Sequence, residues 1–154
     1  MRYPYFLIRN ALVSNREPNP FLLFDSLKKA SHDSFERGEI IHQSNNMAKS
    51  LFNRCKPVAG LLYAFIAQSA NIRQAADYAA IILLSNREMN PFYAYKISKC
   101  LKNFYNKVGN KDFAQMMGAY EQQYINKSLK ALNDPKYSDE YLSCYLNRDL
   151  MRKS

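Results

Sequence analysis

Apolar residues along the chain recur at helical rather than strand spacing. Ile97, Leu101, Phe104 and Val108 fall at i, i+4, i+7 and i+11; Phe113, Met116, Met117, Tyr120 and Tyr124 fall at i, i+3, i+4, i+7 and i+11. Positions so spaced share one face of a helix. No stretch sustains a period of two, and the hairpin pairs Asn-Gly and Asp-Gly do not occur. The pattern predicts an all-α chain of about eight helices, near 4–16, 20–37, 39–55, 57–70, 73–87, 91–108, 110–132 and 135–150. Two segments, 58–67 and 75–84, are apolar nearly all round, so both are expected to be buried. Exposure of that pair would instead mark the contact face of a homodimer.

The helix boundaries carry a repeated octet. SNREPNPF at 14–21 and SNREMNPF at 85–92 agree at seven of eight positions across an offset of 71. Proline at the first helical position gives up only an amide that has no intrahelical partner. It also holds the preceding asparagine extended, as an N-cap requires. Asn19-Pro20 and Asn90-Pro91 therefore read as helix starts, with Phe21 and Phe92 the first buried residues. Arg16 and Arg87 sit where a preceding helix ends and a cation is favoured. Lys28 and Gly38 recur as Lys99 and Gly109 at the same offset, whereas Lys49, Pro57 and Tyr63 recur as Lys127, Pro135 and Tyr141 at an offset of 78. Seven added residues are about two helical turns, which keeps a buried face in phase. The expectation is one compact domain built from two diverged four-helix repeats, residues 1–71 and 72–154.

The tripeptides Asn19-Pro20-Phe21 and Asn90-Pro91-Phe92 also resemble the NPF motifs bound by EH domains of endocytic adaptors. That resemblance implies an accessible motif, whereas the octet reading buries both phenylalanines at the heads of packed helices.

Composition places the chain among ordinary globular proteins, with 47% hydrophobic and 23% charged residues in 154. Cys55, Cys100 and Cys144 are odd in number and widely spaced, which favours a reducing compartment over a disulfide framework. The N-terminal stretch meets Arg9 too soon for a signal peptide, and 58–67 is about half the length of a membrane span. A cytoplasmic protein is expected.

Catalytic hardware is sparse. Glu39 and His42 have the ExxH spacing of a di-metal bundle, but no second motif accompanies them. The four glycines are scattered, so no phosphate-cradling loop forms. No catalytic residues, metal or cofactor are assigned, and a non-enzymatic role is expected. An active site assembled only by folding would have to place His32 or His42 in a deep polar pocket.

Net charge is +9, which suits an anionic partner. Between Met89 and Lys111 stand five lysines and no acidic residue. On a helical wheel Lys96, Lys99, Lys102 and Lys107, with Asn103 and Asn106, lie opposite Ile97, Leu101 and Phe104, and Lys111 follows. The corresponding first-half helix mixes Lys28, Lys29 and Arg37 with Asp25, Asp33 and Glu36. These seven residues are the candidate partner-binding site of a regulator, adaptor or inhibitor that binds an acidic protein surface. The alternative is a nucleic-acid-binding protein using the same lysines on phosphates. As solvated charges, Lys99 and Lys102 should tolerate reversal to Glu at under ~0.5 kcal/mol.

Overall fold

The computed structural model describes residues 34–51, 56–86 and 89–132. All regular structure among them is helical: α1 Ser34–Leu51, α2 Lys56–Ala70, α3 Arg73–Ser85, α4 Pro91–Lys107 and α5 Lys111–Ala131. The first octet, His32, Cys55, Cys144 and the helices expected near 4–16 and 135–150 lie outside the described residues.

Helix α2 is the hub. Every residue from Val58 to Ala67 is buried, and α1, α3 and α4 all pack against it. Gly60 permits the closest of these approaches. A methyl group there would stand 2.9 Å from Ile97 Cδ1 and 3.0 Å from Ile82 Cγ2. The all-apolar sequence of this segment is therefore the sequence of a helix with neighbours on every side.

The second apolar segment does not share that fate. In α3, Ala75, Ala76, Ala79, Ile82 and Leu83 are buried, but Ile81 is 57% and Leu84 47% exposed. Only one side of α3 meets α2 and α4, so Tyr78, Ile81 and Leu84 are left exposed. Length and hydrophobicity alone did not distinguish a helix flanked on all sides from one flanked on one. The link from α2 to α3 is two residues, with Asn71 in the left-handed region at φ 55°, where asparagine is tolerated better than most residues.

Arg87 and Glu88 lie outside the described residues; the rest of the second octet behaves as its letters imply. Helix α3 ends at Ser85, and the Met89 amide donates to the Asn86 carbonyl at 3.1 Å. Asn90 then caps α4, its side chain accepting from the Phe92 amide at 2.9 Å, with Pro91 at the head of the helix. The Phe92 ring is fully buried, so this NPF tripeptide is not presented to a partner.

Helices α4 and α5 form a close hairpin. The amides of Gly109 and Asn110 donate back to the carbonyls of Asn106 and Tyr105, and Gly109 adopts φ +80°. This is the glycine-dependent helix stop in which a left-handed residue reuses the last free carbonyls. The Asn110 side chain in turn accepts from the Phe113 amide at 3.3 Å and starts α5. Gly38, its expected counterpart, lies inside α1, so α1 runs unbroken across the boundary expected at 37–39. The two glycines match in offset but not in conformation.

The inner face of α5 also differs from the expected stripe. Ala114, Met117, Glu121, Ile125, Ser128 and Ala131 are buried, whereas Phe113 and Met116 are 44% and 37% exposed. Small residues let α5 lie close to α4, and this outweighs the larger apolar side chains one position away. Val108, counted with the inner face of α4, is its C-cap and is 47% exposed.

Candidate functional site

Helix α4 carries four lysines and no carboxylate. Lys96, Lys99, Asn103, Asn106 and Lys107 recur at i, i+3, i+7, i+10 and i+11, within an arc of roughly 100° on the helix. Asn106 and Lys107 are exposed, as is Lys111 at the start of α5, while Lys96, Lys99 and Asn103 are half-buried. The seven expected residues thus lie on α4 and at the start of α5, but their surroundings differ.

Lys96 and Lys99 flank a ring that sequence reading did not single out as their support. Each ammonium lies 5.8 Å from the centroid of Tyr95, within reach of the negative face of an aromatic ring. Tyr95 is wholly buried. The lysine stems help to cover the ring. Burial, then the nearby Glu121 carboxylate and Cys100, push the Tyr95 hydroxyl up to about 12. Beneath the same stretch of α4, Phe92 and Tyr95 cluster with Ile125 and Ala131 of α5. The C-terminal part of α5 therefore props the N-terminal part of the lysine face.

Lys102 is committed inward. Its ammonium pairs with the Glu121 carboxylate; the side chains are 32% and 3% exposed respectively. Its stem passes Gly118 of α5, where an added methyl group would come within 3.4 Å of Lys102 Cδ. The position is about 90° round the helix from the centre of the outward arc, toward α5. Charge reversal at Lys102 would set two carboxylates together in a nearly dry site, so the expected tolerance of Lys102→Glu does not hold. Nothing in the spacing of α4 alone announces this pairing; the signal is Glu121, a lone acidic residue on the inner stripe of α5.

Lys107 stands near the end of α2, its ammonium donating to the Gln68 carbonyl at 3.5 Å. A cation is favoured at a helix C-terminus. No protein-family model matches the chain, and neither a curated protein nor a solved structure matches it.

The histidine-centred expectations fare differently. His42 is exposed on α1, with Asn46 Nδ2 3.4 Å from its Nε2. Among the described residues no three His, Cys, Asp or Glu side chains converge to hold a metal ion. Cys100 is buried. Among the described residues no helix is long and apolar enough to cross a membrane.

Proposed function

We propose that the chain is a non-catalytic interaction protein that binds an acidic protein surface through α4. The observation carrying this reading is the outward arc of Lys96, Lys99, Asn103, Asn106 and Lys107, on a helix without one acidic side chain. The half-buried lysines stand on Tyr95, a rigid base that limits their rotamer freedom and so lowers the entropy lost on docking. The asparagines between them both donate and accept hydrogen bonds, as a partner's mixed polar surface requires.

Lys111 extends the arc across the turn. It occupies the first turn of α5, where a cation opposes the helix dipole by about 0.3–1 kcal/mol. A residue that works against its own helix is more simply explained by a contact outside it. Lys102 belongs to this reading only as support for the α4–α5 hairpin.

The alternative reading places nucleic-acid phosphates on the same arc. There the lysines would meet phosphates and Asn103 and Asn106 could donate to phosphate or base oxygens. Fluorescence anisotropy with labelled random-sequence DNA and RNA, across ionic strength, separates the two. Sub-micromolar binding with a steep salt slope would transfer the site to phosphates; absence of binding to both polymers leaves the acidic-protein reading standing.

A two-repeat, eight-helix origin is part of the same proposal. The duplicated octet supports it, and the unlike conformations of Gly38 and Gly109 weigh against an equivalence at that position.

A further inference from the structure

Away from the lysine face, α1, α2 and α3 enclose a groove of about 650 Å³. That volume lies within the range of roughly 300–1,000 Å³ typical of small-molecule sites. One wall is α1, where His42, Asn45 and Lys49 line the groove at i, i+3 and i+7, beside Gly38 and Ile41. The facing wall is mostly apolar and aromatic, with Tyr63 and Ile66 of α2 and Ala75 and Tyr78 of α3, and Gln74 of α3 adds one amide to it. The two tyrosine rings pack 5.2 Å apart at 32°. Burial and then Tyr78 raise the Tyr63 hydroxyl above its usual range, so it remains a proton donor at neutral pH.

The lining has a directional chemistry. Lys49 is cationic, the Asn45 amide and the Tyr63 hydroxyl can donate, and His42 offers an N–H in either charge state. None of the described residues lining the groove is acidic. A guest with acceptor oxygens at one end and an apolar body at the other matches this division. A cationic guest would find no counter-charge among these residues, and a purely apolar one would strip water from Asn45 and Lys49 without replacing its hydrogen bonds.

We propose that this groove binds a small organic anion, its carboxylate meeting Lys49 and Asn45 and its ring-bearing body lying on Tyr63, Ile66 and Tyr78. The site is separate from the α4 arc and does not depend on it. Full-length protein labelled with ¹⁵N is titrated with 2-naphthoate and with the neutral 2-naphthalenemethanol, following amide shifts. Naphthoate should saturate, shift amides of α1, α2 and α3 around the groove, and bind at least about tenfold more tightly than the alcohol. Lys49→Gln should reduce naphthoate to the affinity of the alcohol. Tyr78→Ala should weaken both probes, and Lys107→Gln should change neither. Lys49 and Tyr78 are exposed, and unaltered circular dichroism confirms that the variants fold. Equal affinity for the two probes, shifts centred on α4, no saturation, or full naphthoate affinity in folded Lys49→Gln would each overturn the proposal.

Discussion

Replacing Lys102 by methionine removes one ammonium from the α4–α5 seam and keeps most of the side-chain volume. The Glu121 carboxylate, only 3% exposed, then loses the cation beside it. Breaking a buried ion pair by deleting one partner costs about 3–5 kcal/mol. Lys102 is about one-third exposed, so water reaches the gap, and the expected loss falls to roughly 2–3 kcal/mol. Lys107→Met, at an exposed position on the same helix, should cost under ~0.5 kcal/mol. Replacing both partners, Lys102→Met with Glu121→Leu, removes the buried carboxylate along with its cation. The double variant should therefore be more stable than Lys102→Met alone, by about 1 kcal/mol or more. Urea unfolding followed by far-ultraviolet circular dichroism reads all three, with an unchanged m-value confirming a common reference. A Lys102→Met loss no larger than that of Lys107→Met would refute the reasoning. So would a double variant less stable than the single one.

The glycines offer a test of opposite sign. Gly38→Ala should stabilise by about 0.5–1 kcal/mol, because the residue is exposed within α1 and an added methyl group has open space. Gly109→Ala should destabilise by about 1 kcal/mol through its positive φ; thermal melts of both suffice. Phe92→Ala should cost roughly 3–5 kcal/mol by denaturant unfolding, since the ring is fully buried, and Asn90→Ala about 1 kcal/mol through loss of the cap. The raised Tyr95 pKa makes a pH prediction. The folded state holds that proton up to about pH 12, the unfolded chain only to about 10. The contribution is complete below pH 10 and disappears as pH climbs toward 12, amounting to roughly 3 kcal/mol. Tyr95→Phe should flatten this part of the stability–pH curve relative to wild type, and an unchanged slope would contradict it.

What could be read from the letters depended on how local the cause was. The start of α4 was legible because Asn90, Pro91 and Phe92 act within one turn, through a cap bond and a fixed φ. The all-helical class was legible because period-3.6 spacing repeats over many turns. The inner face of α5 was not, because spacing reports which residues share a side and not which side meets a neighbour. Phe113 and Met116 looked like core by hydrophobicity, while close approach to α4 favoured Ala114, Ser128 and Ala131. The exposed side of α3 has the same origin: Ile81 and Leu84 point where no described helix lies. Among the candidate site residues, the outward arc followed from the wheel of α4. Tyr95 as a base under Lys96 and Lys99, and Glu121 as the counter-charge of Lys102, are tertiary facts. They require knowing that α5 folds back antiparallel after Gly109.

The account stands or falls on whether the outward lysine arc is a docking surface. Tagged full-length protein and its Lys96→Glu/Lys107→Glu/Lys111→Glu variant, matched for circular dichroism and melting, are compared as baits in extract of the native host treated with nuclease. Retained proteins are quantified side by side, and direct binding is then measured with the purified partner. The account predicts a partner with an acidic surface that binds the wild type directly, with affinity falling at least about tenfold in the variant. Equal binding of that partner to both baits, or binding that vanishes with nuclease alone, would contradict it.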